Sequence, residues 1–340
     1  MLRYEITKVL RKVLGLAETY SNLMRELKSK KFVFTGELET TKTTDFSDII
    51  NEARELLGYV TACNVTDNAG SFAAMSSLVA SYIVQRETGM ECIFQLRCTD
   101  RNRIALTSDL LGAAALGIKN VLALTGDHTL VGDMPNAKPV YDLDGTLLTM
   151  MIRKMVDEGV DLEGNPIAGP RPRFHVGVAA NPNASPLEPE LIKIIRKIDV
   201  GAEFIQTQVC FNIDRTLEFL RMLKSFKIPV LIGIFPMKSY GVARGFNELI
   251  PGVRVPEDLL EKLKKVKDEA TSKEEKSELY DKVNLEFFVP FVKELKESGL
   301  CAGCHIMSVH YTKLIPKLLR EAGLIKEEAP LEASAVEVKR

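Results

Sequence analysis

Polar side chains recur in this chain at one kind of place, just after short runs of β-branched and apolar residues. "KFVFTGEL" carries Glu37, "YVTACNVT" ends on Thr66, "ECIFQLRC" carries Gln95 and Arg97, and "NVLALTGD" ends on Gly126 and Asp127. "FHVGVAAN" ends on Asn181, "FIQTQVCF" carries Gln208, and "PVLIGIFP" leads into "PMKSY" at 236–240. Two carboxylic acids with several amides and hydroxyls can do general acid–base chemistry or hold a polar ligand, provided the fold brings them together. Taken singly, each has an ordinary explanation: Asp127 opens a loop, Gln208 caps a backbone group, Glu37 is solvated. A second constellation is "CAGCH", residues 301–305, which spells a covalent haem-attachment site.

The elements that must position these residues follow a regular order. The apolar runs above, with "AGCHIMSV" as an eighth, alternate with helical patterns such as "DFSDIINEARELL", "NRIALTSDLLGAAALG" and "RTLEFLRMLKSF". Eight strand–helix repeats predict an α/β fold of the (β/α)8 TIM-barrel type, with strands near 32–38, 59–66, 91–98, 120–127, 174–181, 204–211, 229–236 and 302–309. A lead-in helix precedes the first strand, and a helical insertion from Val255 to Gly299 precedes the eighth. A doubly wound open sheet is the alternative, weakened because no G-x-G-x-x-G follows the early strands. The expected organisation is an N-terminal helical extension over 1–30, a barrel over 31–324 that binds the ligands, and a mobile or loosely packed tail over 325–340. In a barrel the strand ends converge on one mouth, so seven strands ending in polar groups describe a pocket.

Composition excludes several function classes. The 340 residues are 46% hydrophobic and 27% charged with a net charge of −1, which gives no electrostatic footprint for nucleic acid or an anionic membrane. No stretch reaches the roughly 18 apolar residues of a membrane span. The opening segment has charges throughout and no apolar export core, and the six cysteines are sparse and lie in apolar runs. A soluble, cytoplasmic protein without a disulfide framework is therefore expected. "CAGCH" then reads as the entry to the eighth strand. Cys301 falls in the turn and Cys304 in the core, no fourth ligand accompanies Cys301, Cys304 and His305 for a metal, and haem would require opening the barrel.

"TGELETTKTTDF", "NVTDNAGS", "LALTGDHT", "VAANPNASP", "IRKIDVGAEFIQTQVCFN" and "GIFPMKSYGVARGFN" resemble, in this order, the methylenetetrahydrofolate reductase family over nearly the whole chain. "GELETTK", "DLEGNPIAG" and "PMKSYGVARGFNELIPGVRVP" resemble most the branch of acetogenic and related anaerobic bacteria. The resemblance implies a flavoprotein of one-carbon metabolism and methionine biosynthesis that reduces 5,10-methylenetetrahydrofolate to 5-methyltetrahydrofolate. It implies Glu37 as the general acid at N10, which needs a raised pKa near neutrality, and Asp127 as the negative charge beside the cationic iminium. Gln208 and Tyr240 are implied against the pterin and the p-aminobenzoate ring. Thr66, Gln95, Thr125, Gly126, Asp127, Tyr141, Asn181, Ser185, Arg196 and Lys197 are implied around the flavin, the last two near its phosphates. Lys193, Arg196 and Lys197 share one helix face.

Some positions depart from the family. Gln95 replaces a common His, Thr125 an Arg, Thr40 and Thr41 stand where prolines usually follow the acid, and Asn181 replaces an aromatic. These leave open whether the flavin is FAD or FMN. They also leave open whether electrons come from NAD(P)H or from a partner electron-transfer subunit, in a homo-oligomer or a hetero-complex. A flavin-free pterin methyltransferase and a non-catalytic docking subunit stand as alternatives.

Overall fold

The computed structural model describes residues 18–250 and 252–325, so residues 1–17 of the expected extension and 326–340 of the expected tail lie outside the described residues. Eight parallel strands run in chain order: β1 Val33–Leu38, β2 Ala62–Val65, β3 Cys92–Arg97, β4 Asn120–Leu124, β5 His175–Ala180, β6 Phe204–Val209, β7 Val230–Ile234 and β8 Gly303–Ile306. Each pairs with its neighbours, and β1 pairs with β8 through Val33 opposite Gly303 and Thr35 opposite His305, which closes the barrel and rules out an open sheet. The strands are shorter at their ends than expected. β2, for example, begins at Ala62 because the N–H groups of Tyr59 and Val60 still donate to the Leu56 carbonyl of the preceding helix.

The helices between strands are α2 Ser47–Leu56, α3 Ser77–Thr88, α4 Arg103–Ala115, α5 Gly145–Asp157, α6 Glu188–Asp199 and α7 Ile213–Leu223, with α1 Asn22–Lys28 ahead of β1. Between β7 and β8 lie α8 Tyr240–Leu249, then α9 Glu257–Glu269 and the long α10 Lys273–Ser298, the last two within the helical region expected over Val255–Gly299, and α11 Leu314–Glu321 follows β8. Polar side chains start many of them: Asn102 accepts from the N–H of Ile104 and Ala105, Asp144 from Leu147, and Ser272 from Glu275. Strands buried on both faces read as apolar runs, and β3 is buried along its whole length.

Helix α1 closes the N-terminal end of the barrel. Its Leu23, Met24 and Leu27 pack on Val33, Ala62, Ile93, Leu122, Phe204 and Leu231, one residue from each of six strands. Glu91 holds this helix in place, accepting from the N–H groups of Asn22 and Leu23 and from the side chain of Asn120. Gly177 in β5 leaves room for this layer: a Cβ there would lie 2.3 Å from the Phe204 ring.

A buried charge cluster sits beside this plug. The Nε2 of His175 accepts from the Tyr20 N–H at 2.8 Å, so Nδ1 carries the proton and donates to Glu203 at 3.0 Å, while Arg153 binds the other carboxylate oxygen at 2.9 Å. Burial opposes the Glu203 charge, but the His175 hydrogen bond and Arg153 outweigh it, and the carboxyl lies below its ordinary value of about 4.5. A depressed carboxyl stabilises the fold fully above the unfolded pKa, and that contribution is lost as pH falls through the folded one. Wild type should therefore lose stability as pH drops below about 4.5. Urea melts of Glu203→Gln should show a smaller acid dependence over the same range; an equal dependence would exclude this cluster as a source.

Candidate active site

The C-terminal ends of the strands enclose two connected spaces. The larger, about 520 Å³, is lined by Glu37, Asn64, Gln95, Thr125, Gly126, Asp127, Asn181, Glu190, Lys193, Lys197, Gln206, Gln208 and His305 among others. The second, about 380 Å³, is more apolar and runs between β1, β6, β7 and α8, with Thr66, Phe235, Val242, Phe246, Ile250 and Val309 on its walls. Glu37, Gln208 and Met307 line both. A groove of about 540 Å³ between α10 and α11 lies outside the barrel among surface charges such as the Lys317–Asp281 pair. Size alone therefore does not mark the site, whereas convergence of strand ends does.

The sequence-predicted residues divide accordingly. Glu37, Gln95, Thr125, Gly126, Asp127, Asn181, Lys197 and Gln208 meet at the larger space, and Thr66 faces the smaller. Tyr141, Ser185, Arg196 and Tyr240 are among the lining residues of neither. Tyr141 supports the site from behind, its hydroxyl donating to the Gly126 carbonyl at 3.4 Å. Ser185 and Arg196 are exposed. Lys193 and Lys197, four apart on α6, face the cavity, while Arg196 projects elsewhere on the helix. Helical geometry likewise places Val242 and Phe246 on the cavity face of α8 and turns Tyr240 about half a turn away, to a contact of 5.5 Å with Lys267.

The loops that carry Asp127 are tied to one another. Its carboxylate accepts from the Gly70 N–H at 3.1 Å, and its carbonyl from the hydroxyls of Ser71 at 2.7 Å and Thr99 at 2.9 Å. Arg97 donates to the Asn68 carbonyl and the Ser71 hydroxyl and pairs with Asp100. Arg101 pairs with the buried Asp67, whose carboxyl burial pushes up in spite of that partner. Gln208 accepts from the Val209 N–H through Oε1 at 2.9 Å, which leaves its amide N–H groups for a ligand. Lys197 donates to the Ala179 carbonyl at 2.7 Å, and burial lowers its ammonium below the usual range.

Several residues at the site were not expected there from the sequence: Asn64 and Gln206 in the floor, with His305, read only as part of "CAGCH", beside them, Glu190, which bonds Lys193, Phe246, and Glu39 beside Glu37. Burial, then the charge of Glu37, raises the Glu39 carboxyl. Asn64 and Gln206 had a signal, since each stands two positions before a predicted strand-end residue, Thr66 and Gln208, and therefore on the same barrel face one pleat lower.

Against this geometry the comparisons are specific. A family model described as methylenetetrahydrofolate reductase matches residues 22–323. The chain belongs to the methylenetetrahydrofolate reductase family. Similar proteins include "Methylenetetrahydrofolate reductase 2" of Schizosaccharomyces pombe, 26% identical over 76% of this chain and 39% of that protein. Another is "Methylenetetrahydrofolate reductase (NADH) 1" of Arabidopsis thaliana, 25% identical over 86% and 49%. The chain thus spans less than half the length of these relatives. A solved structure titled "Uncharacterized protein from Clostridium thermocellum binds two copies of 5-methyl-5,6,7,8-tetrahydrofolic acid" shares the fold, with a TM-score of 0.58, 15% identity, and coverage of 89% of this chain and 97% of that one. Among the described residues no helix is long and apolar enough to cross a membrane, and no group of side chains is placed to hold a metal ion.

Gly126 tests the shape of this cavity. Its φ is +90°, and a Cβ would lie 2.3 Å from the Thr99 hydroxyl that holds Asp127. Gly126→Ala should cost about 1–3 kcal/mol in denaturant melts, through left-handed strain and overpacking. A melt matching wild type would show that the loop relaxes freely.

Proposed function

We propose that this chain reduces 5,10-methylenetetrahydrofolate to 5-methyltetrahydrofolate with a bound flavin, Glu37 acting as the general acid. The observation that carries the reading is the position of Glu37, on the wall common to a polar space and an apolar one. The donor set of the polar space suits a flavin: amides at Gln95 and Asn181, a hydroxyl at Thr125, backbone at Gly126, and the cations Lys193 and Lys197 for phosphate. Arg196, Tyr141 and Ser185 lie at its periphery. A bound reduced flavin supplies the hydride.

The apolar space beside Phe246 and Phe235 takes the folate, with Gln208 donating to the pterin edge. Glu37 gives its proton to N10, which opens the methylene bridge to an N5 iminium cation. Asp127, fixed by Gly70, Ser71 and Thr99, keeps its negative charge near that cation. Tyr240, implied against the p-aminobenzoate ring, lies on the side of α8 turned away from this space, against Lys267, and Thr66 borders the folate compartment.

FAD is the proposed flavin, with FMN as the alternative. We infer a member nearest the anaerobic branch, acting in the cytoplasm and in one-carbon metabolism leading to methionine. Its electrons come from NAD(P)H or, as the departures at Gln95 and Thr125 favour, from a partner electron-transfer subunit in a hetero-complex; a homo-oligomer is the other arrangement. On this reading the isolated chain binds flavin yet oxidises NADH slowly. Rapid NADH turnover with an artificial acceptor would place the electron entry on this chain instead.

The two acids separate in stopped-flow half-reactions that follow flavin absorbance. Glu37→Gln should leave flavin reduction intact and slow reoxidation by methylenetetrahydrofolate about 10²–10⁴-fold. Asp127→Asn should alter both half-reactions and raise the flavin potential, since a negative charge beside the ring is removed. Wild-type reoxidation in Glu37→Gln removes Glu37 as the acid. A purified protein without flavin absorbance favours a methyltransferase.

A further inference from the structure

The loop after β8 walls one side of the apolar space and takes no part in the chemistry drawn above. β8 ends at Ile306, and the Met307 N–H donates to the Ile234 carbonyl of β7 at 3.0 Å. Met307 and Val309 line the space. Beyond Met307 the chain leaves the sheet, and three consecutive side chains fasten it to the outer helices. His310 donates through Nδ1 to Glu52 Oε1 at 2.6 Å, the Tyr311 hydroxyl to Asp281 Oδ1 at 2.5 Å, and the Thr312 hydroxyl to Glu55 Oε2 at 2.6 Å. Glu52 and Glu55 are three apart on α2 and share one face, while Asp281, paired also with Lys317, belongs to α10. The loop is thus strung between α2 and α10.

These fastenings, more than packing, set the position of the loop. His310 has φ +50°, a left-handed backbone uncommon for a histidine, and such a conformation persists only where its surroundings over-determine it. The Ser308 hydroxyl is buried without a partner, a cost that the loop bears in this position. Behind His310, between the loop after β1 and α2, lies a cavity of about 130 Å³ lined by Glu39, Thr40, Glu52 and His310 among others. Close packing is what resists displacement inside a protein, so a wall backed by a cavity keeps its place through its bonds. Neither His310 nor Tyr311 is among the residues lining the two ligand spaces, and both act on them through Met307 and Val309.

We propose that His310 and Tyr311 are positioning residues for the folate: together they hold Met307 and Val309 as a preset wall, so that the ring system entering the apolar space meets a contact surface already ordered. A preset wall spares the ordering cost that a loose loop incurs on binding, and so raises affinity. It leaves the later step alone. Once the substrate is seated the loop is ordered in either case, and Glu37 meets the same geometry. The proposal rests on the reading of the apolar space as the folate compartment.

The test uses the full chain loaded with flavin. Tyr311→Phe keeps the ring and removes the fastening to α10, and His310→Gly removes one to α2 while accepting the left-handed backbone without strain. Pre-reduced protein is mixed with rising concentrations of methylenetetrahydrofolate, and flavin reoxidation is followed by absorbance. Each substitution should raise the half-saturating concentration about five- to tenfold and change the limiting rate by less than about twofold. A larger fall in the limiting rate, or an unmoved half-saturating concentration, overturns the proposal. Hydrogen exchange of the folate-free chain, read by mass spectrometry, should be about tenfold faster over residues 307–313 in both variants. Unmoved exchange there overturns the fastening whatever the folate kinetics show. A wild type that never reoxidises with the folate sinks the functional reading alone, and the exchange measurement then decides whether the loop is held as described.

Discussion

Thr35, Asn64, Gln206 and His305, hydrogen-bonded to one another in the middle of the barrel, constrain everything above them. Barrel interiors are usually filled by branched apolar side chains. Polar groups in that position carry a desolvation cost unless each finds a partner, and those partners fix rotamers that apolar packing would leave freer. Glu37 rests directly on this layer, through His305, and so stands at a defined height between the two compartments. The layer in turn depends on the apolar one beneath it, where Phe204 fills the space left by Gly177 and α1 covers the end.

The rim is held differently. Arg97 at the end of β3 and Arg101 in the loop after it reach to the loop after β2, and hydroxyls from both loops fix the backbone at Asp127. Partly buried arginine–carboxylate pairs with several hydrogen bonds hold geometry better than exposed ones, which contribute little. The floor is thus a closed layer of mutually hydrogen-bonded side chains, and the rim is charged and cross-braced. An acid placed on the floor and a carboxylate placed on the rim experience different surroundings although both come from strand ends.

The barrel was legible because strands buried on both faces leave short apolar runs, and parallel neighbours need a helix between them. Eight such alternations survive loose strand boundaries, and only the ends, as at Tyr59 and Val60, were misjudged. The strand-end polar residues were legible for the same reason, since chain order alone places them at one mouth. Side chains on helices were not. Arg196 and Tyr240 differ from the lining residues Lys197 and Val242 by one or two positions, and the angle at which a helix meets the barrel decides which is presented. His305 was hidden by its neighbours, because a cysteine pair that spells a cofactor motif draws attention from a histidine facing the opposite way. Glu203 and His175 gave no signal, since their partnership depends on a turn and a strand start meeting across 28 residues.

The apolar plug of α1 makes this barrel a cup and not a pipe. Leu23 is fully buried and Met24 and Leu27 nearly so, each in contact with the lowest layer of strand residues. Whatever enters the interior enters past Glu37 and Gln208 and leaves the same way. A ligand seated across that mouth is also its lid: while it stays, the polar floor exchanges nothing with bulk water, and the protons inside are counted rather than buffered.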